Sequence, residues 1–368
     1  MGKKLLFRVD ASKDIGTGHV MRCITLADEA KLRGWCSCFV LRDPSENITQ
    51  LICCAGHEIR KLLSESSSKK QITSPLEHCE WLSVSQEEDA KETLDIIFDF
   101  KPDWIIIDHY ALDATWHAQV NKSYAKTLVI DDLGDRNLIC EVLVDQNLGA
   151  SKAKYAGKLS QNCTLLMGPQ YALLRNEFRD WREKSLVGRI DRKIQKILIT
   201  MGGVDSENYT LKVLKEVSNS EHAKSCEFNV ILGGSYPHAE ILYEFIKSSE
   251  LNISVLSSVS NMAEIMSKAD LCIGASGSTS WERCCLGLPA VIFSTANNQK
   301  AIAEQLSRAK SSIYSSIKNF RNDFEQFFGS SSKDLRRTLS LNSRSVCDGL
   351  GTARIVEYLE KTIEDRNS

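Results

Sequence analysis

Leu5-Leu6-Phe7-Arg8-Val9-Asp10-Ala11-Ser12-Lys13-Asp14-Ile15-Gly16-Thr17-Gly18-His19-Val20-Met21-Arg22 is the stretch that decides the class of this chain. Residues 5–9 are mostly apolar and stop at a polar loop, which is the pattern of a buried strand. Two glycines then allow a tight turn. Residues 19–33 follow with Val20, Ile24, Ala27 and Ala30 on one helical face, and Gly34 supplies the stop. Strand, glycine loop and helix in that order begin a βαβ unit, and in such units ligands bind where the strands end.

The same rhythm continues outward. Strands are expected at 38–41, 104–108, 127–130 and 142–144, with a helix over 86–100, and Ser64-Glu65-Ser66-Ser67-Ser68-Lys69-Lys70 reads as a polar surface loop. A charged, weakly apolar segment over 176–193 marks the expected domain junction. Beyond it a second series begins, with strands at 196–200, 228–232, 253–256, 271–273 and 290–293. No short-period repeat is visible, so solenoids drop out. The expectation is an α/β protein of two Rossmann-like domains, 1–180 with the histidine loop and 190–345. A C-terminal helical segment, 346–368, is expected to pack back across them.

Bulk properties agree with two cores, since 368 residues with 42% hydrophobic content exceed one ordinary domain. The 46 basic and 48 acidic residues leave a formal charge of −2, with no excess of one sign to attract nucleic acid or a membrane surface. A charge follows only three apolar residues near Met1, too short a run for a secretory signal, and no run of about 18 apolar residues occurs. A soluble cytoplasmic protein is expected. Thirteen cysteines, odd in number and without a Cys-x-x-Cys pair, read for the most part as reduced core thiols.

Four loops at expected strand ends carry the groups that can do chemistry. In the first, Gly16 and Gly18 allow close backbone approach and His19 stands at a helix N-terminus. An imidazole there suits a general base, or else a cap or a phosphate contact. The loop lacks the third glycine of the dinucleotide fingerprint, which disfavours a simple NAD site. The second, Asp108-His109-Tyr110, either orients His19 or the substrate, or caps the next helix. The third, Met201-Gly202-Gly203-Val204-Asp205, offers backbone amides to phosphate or is a plain tight turn. In the fourth, Gly274-Ala275-Ser276-Gly277-Ser278-Thr279-Ser280-Trp281-Glu282, small and hydroxylic residues at a helix start suit a diphosphate. Glu282 is placed to take a ribose, or merely complements the helix dipole.

Taken together, six ordered motifs resemble the nucleotide-sugar hydrolases of pseudaminic acid biosynthesis, relatives of the GT-B glycosyltransferases. They are Gly16-x-Gly18-His19-x-x-Arg22, Ile107-Asp108-His109-Tyr110, Gly168-Pro169-x-Tyr171-Ala172-Leu173-Leu174-Arg175-x-Glu177-Phe178, Met201-Gly202-Gly203-x-Asp205, Gly287-Leu288-Pro289 and Asp348-Gly349-x-Gly351. The resemblance implies a GT-B-like fold, two Rossmann-like domains facing each other across a cleft. It implies water attack with inversion at the anomeric carbon of a UDP-linked diacetamido-trideoxyhexose, releasing UDP. In that reading His19 is the base and Gly18, Arg22, Asp108 and Tyr110 lie around the sugar, as do Asn298 and Gln299. The UDP falls to Gly202, Gly203, Ser276, Gly277, Ser278, Thr279 and Glu282. No metal or cofactor is implied, and neither the hexose stereochemistry nor the oligomeric state is legible.

Two rivals share these motifs. A GT-B glycosyltransferase would pass the sugar to an acceptor, and membrane-bound examples carry a basic, apolar patch. Leu51-Ile52-Cys53-Cys54 has no immediate basic cluster, although Arg60, Lys61, Lys69 and Lys70 follow. A non-catalytic nucleotide-sugar binding subunit has no need of the retained histidine loop.

Overall fold

In the computed structural model, which describes residues 2–12, 15–62, 76–257 and 259–367, the opening stretch forms strand β1 (Lys4–Val9) and a helix, Gly18–Leu32. Six further parallel strands surround β1: β2 (Cys36–Arg42), β3 (Glu58–Leu62), β4 (Trp104–Asp108), β5 (Lys126–Ile130), β6 (Val142–Asp145) and β7 (Thr164–Met167). Their order is β3-β2-β1-β4-β5-β6-β7. Leu5, Phe7 and Val9 face a core that includes Val20, Ile24 and Ala27 of the helix Gly18–Leu32, whereas Leu6 faces the opposite layer with Ile97 and Trp116. That opposite layer contains the helix Gln86–Phe100, which begins and ends where the sequence pattern placed it.

A second parallel sheet follows: β8 (Lys196–Thr200), β9 (Glu227–Leu232), β10 (Asn252–Ser257), β11 (Leu271–Ala275), β12 (Ala290–Phe293) and β13 (Ile313–Tyr314), in the order β10-β9-β8-β11-β12-β13. All ten expected strands are present. β3, β7 and β13 are additional.

The chain divides into two units, Met1–Leu173 with Leu350–Ser368, and Leu174–Gly349. The first division thus falls before residue 180. The expected junction at 176–193 is instead a helix, Asn176–Leu186, and a 3-10 turn, Arg189–Asp191, inside the second unit. Its polarity misled because Arg189 is buried there, its guanidinium donating to the carbonyls of Ser185, Met266, Ser267 and Ala269. The last helix, Gly351–Asn367, belongs to the first unit and puts Ile355, Val356 and Leu359 into the core beside Leu5 and Phe7. The polar segment 64–70, expected as a surface loop, lies outside the described residues.

None of the thirteen cysteines is in a disulfide, and most are buried as expected, while Cys36, Cys53 and Cys54 are exposed. Among the described residues, no helix is long and apolar enough to cross a membrane.

Candidate active site

In each sheet the strand order reverses at one point, between β1 and β4 in the first and between β8 and β11 in the second. Loops leaving the carboxyl ends of such a pair diverge and open a crevice. All four loops singled out from the sequence leave at these two points.

At the first, Val9 pairs with Asp108, so Asp10 and His109 leave the sheet side by side. Gly16 has φ +76, which favours glycine, and the turn it makes delivers His19 to the second position of the helix Gly18–Leu32. Gly18 is exposed and leaves the backbone bare. The Thr17 side chain makes no cap hydrogen bond, so the first amides are not taken by it.

His19 is buried, with Nδ1 2.6 Å from Asp108 Oδ1. Arg22, one turn along the same helix, clamps that carboxylate with Nε and Nη2, each at 2.5 Å. Arg22 Nη2 also lies 3.1 Å from His19 Nδ1. With both groups donating to Asp108, that last approach is between two donors converging on one oxygen. In the neutral imidazole the network therefore places the proton on Nδ1 and the lone pair on Nε2. Burial pushes the Asp108 carboxyl up, but Arg22 and then His19 outweigh it and hold it below the usual carboxylate range. Asp108 is thus ionised and orients the histidine. The next helix, Ala114–Val120, is capped by Asp113, whose carboxylate accepts from the Thr115 amide at 2.7 Å.

His109 has neither nitrogen free. Nε2 donates to Asp10 at 2.9 Å and Nδ1 accepts the Ala111 amide at 3.2 Å, while burial lowers its pKa. Tyr110 donates its hydroxyl to Asp132, and burial followed by the Asp132 charge raises its pKa well above the ordinary value. Its ring meets the His19 imidazole edge-on, with centroids 4.7 Å apart at 84°.

Beneath this layer Arg8 is fully buried and binds Asp89 through Nη2 and Nε, at 2.7 and 3.0 Å, and Asp10 through Nη1 at 2.7 Å. Arg42 also reaches Asp89, as does the Trp116 indole N–H. Sequence reading passed over Arg8, although a charge inside an apolar strand must find a buried partner. Trp81 and His78 were also missed. Both are half-buried beside Tyr110, and they lie in a short turn with no pattern to flag it.

In the second unit Gly202 has φ +88, and a side chain added at Gly203 would meet nothing within 4 Å. Asp205 turns inward and accepts from the Tyr209 and Thr210 amides, so it caps the helix Tyr209–Val217. A methyl group on Gly233 would lie 2.1 Å from the Gly203 carbonyl oxygen. Only glycine at 233 permits that approach.

After β11, Gly277 and Thr279 are half-buried and Ser278 is exposed. Ser276 is fully buried, and its hydroxyl donates to the Phe293 and Gln299 carbonyls at 3.0 and 3.2 Å. The Ser276 side chain is therefore a brace for the loop. Asn298 is exposed, while the Gln299 side-chain oxygen is held by the Thr295 amide and hydroxyl. Buried Arg283 ties the loop from below, donating to the Ala275 carbonyl at 2.8 Å, Ser280 at 3.0 Å and Thr279 at 3.2 Å. Burial pushes Glu282 up to about 7, opposed by Arg175 and Arg283 and assisted by Glu177. Arg283 and Gly233 had no signal in the sequence, because each is needed only for a contact with a distant loop.

Residues 196–323 match the glycosyltransferase family 28 C-terminal domain. Over nearly the whole chain the fold is that of the crystal structure of Acinetobacter baumannii MurG, with a TM-score of 0.66 at 14% identity, covering 98% of this chain and 99% of that one. The chain accordingly has a GT-B α/β fold. Among curated relatives, "Uncharacterized protein MJ1062" of Methanocaldococcus jannaschii is 27% identical over 79% of this chain. The match spans only 55% of that protein's own length. The UDP-2,4-diacetamido-2,4,6-trideoxy-beta-L-altropyranose hydrolase of Campylobacter jejuni is 24% identical over 83% of this chain and 96% of its own.

Proposed function

We propose that this protein hydrolyses UDP-2,4-diacetamido-2,4,6-trideoxy-β-L-altropyranose, or a closely related UDP-linked diacetamido-trideoxyhexose, in pseudaminic (nonulosonic) acid biosynthesis. The observation that carries the reading is the 2.6 Å bond between His19 Nδ1 and Asp108, which leaves Nε2 as a proton acceptor. Water attacks the anomeric carbon and gives its proton to His19 Nε2. The bond from that carbon to the diphosphate oxygen breaks, and UDP leaves with the electron pair, so the sugar is released with inverted configuration. The amides after β8 and around Ser278 hold the diphosphate and take up the charge that grows on it. Glu282 accepts from the ribose hydroxyls. Similarity to the Campylobacter hydrolase, which extends over most of both chains, supports this assignment.

The match of 196–323 to a glycosyltransferase domain favours a second reading to the same degree, transfer of the sugar to an acceptor other than water. Incubation with the UDP-sugar in 18O water separates the two. Heavy oxygen at sugar C1 and none in UDP is expected, with inverted configuration by NMR. Label in UDP, or no turnover until an acceptor is added, would overturn the hydrolase reading. His19→Asn should abolish turnover and leave UDP affinity within about twofold, since the diphosphate is held by other residues.

A further inference from the structure

Three rings gather on one side of the proposed base. Trp81 closes the 3-10 turn Cys79–Trp81, and its indole lies nearly parallel to the Tyr110 ring, 5.3 Å away at 28°. His78 packs on both, at 4.6 Å from Trp81 and 5.4 Å from Tyr110. The His19 imidazole stands at right angles to the indole as well, 5.7 Å away at 79°. Trp81 packs against the apolar cluster that contains Leu82, Val84 and Ala111, yet it is not engulfed by it and remains partly exposed, as does His78.

The flank of the base is therefore largely aromatic surface, with the Tyr110 hydroxyl taken by Asp132. A fully hydroxylated hexose placed there would face carbon with hydroxyls that lose their water partners, whereas methyl and acetamido substituents would bury apolar surface on the rings. We propose that Trp81, buttressed by His78, is the specificity-determining residue of the His19 site. Its indole selects sugars bearing methyl and acetamido groups over fully hydroxylated hexoses. This inference rests on reading His19 as the base of a UDP-sugar hydrolase.

Binding can be read without turnover in a His19→Asn background, by calorimetry with UDP, UDP-glucose and a UDP-linked 2,4-diacetamido-2,4,6-trideoxyhexose. Trp81→Ala should weaken the trideoxy donor about 10–100-fold, the range for apolar group recognition in a pocket, while UDP and UDP-glucose change less than about twofold. Trp81→Phe, which keeps a ring and the fold, should retain part of the preference. An unchanged ratio between the donors in Trp81→Ala, or an equal loss for UDP itself, overturns the proposal. Failure of the hydrolase reading shows separately, as absence of acceptor-free UDP release by the wild-type chain.

Discussion

Asp108 has three partners on its two oxygens, His19, Arg22 through two nitrogens and the Cys23 thiol at 3.6 Å, and it is fully buried. Asn in its place keeps the shape but presents an N–H to one partner, which favours the imidazole tautomer with its proton on Nε2. Asp108→Asn should lower kcat about 10²–10⁴-fold, the range of a positioned general base, with UDP affinity unchanged in calorimetry. A drop below about tenfold would remove the orienting role. His117 gives a separate residue-scale test. Burial, and then Arg136, push its pKa down to about 3, while its Nδ1 accepts the Ile139 amide at 3.1 Å. In the unfolded chain a histidine titrates near 6.5. The stability from neutral His117 is thus full above about pH 6.5 and declines as pH falls toward the folded value, because only the unfolded chain takes up the proton. His109 is shifted in the same direction. Asp10, Asp89 and Asp108 are held low, so their contributions fade only below about pH 4. Between about pH 6.5 and 4.5 the histidines act against Glu282, whose raised pKa adds stability as pH falls, so denaturant midpoints report the sum and His117→Gln should remove the histidine part of the acid-side loss relative to the parent chain.

At the scale of elements, the strands that sequence reading found and those it missed differ in position. β3, β7 and β13 are all sheet edges. Glu58-Ile59-Arg60-Lys61-Leu62 pairs on one side only and carries mostly exposed side chains, so it shows no apolar run. Such charged edges also discourage pairing with other chains. β13 is two residues long, below any periodicity. The fourth edge, β10, was legible because Ile253 and Val255 alternate with polar neighbours and pack on the core. The loops after β8 and β9 are locked together where Gly233 meets Gly203. Gly233→Ala has no flexible side chain to displace and must shift backbone, so it should cost about 1–3 kcal/mol in the second unit. UDP affinity should fall with it, as the Gly202-Gly203 amides move. Thermal unfolding and UDP titration check both, and a neutral variant would show that the loop is loose.

Across the whole chain, the first unit is closed by segments from opposite ends of the sequence. Lys3 bonds to Glu360 and Glu364, the Trp104 indole donates to the Leu359 carbonyl, and Lys126 reaches the Thr362 carbonyl. Removing residues 351–367 uncovers Val20, Ile24 and Ala27 of the Gly18–Leu32 helix together with β1. Hydrogen exchange should then lose protection in β1 and that helix, and with them the setting of His19, while β8 and β11 keep theirs. Uniform protection in the truncated chain would mean that the last helix is dispensable.

The sequence alone determined the class of the chain, because buried parallel strands need apolar runs and their crossover helices need one apolar face. Both patterns are local and survive without knowledge of neighbours. It also located the four loops, since glycines and hydroxyls at strand ends are local too. Only the tertiary structure decided what each residue in those loops does. Asp108 is an orienter of His19 rather than a cap, His109 has no free nitrogen, and Ser276 braces its own loop. Arg8, Arg283, Gly233 and the Trp81 ring wall emerged only with it. Each depends on a partner far along the chain, and a side chain's available lone pair or proton is whatever its distant partners leave unused.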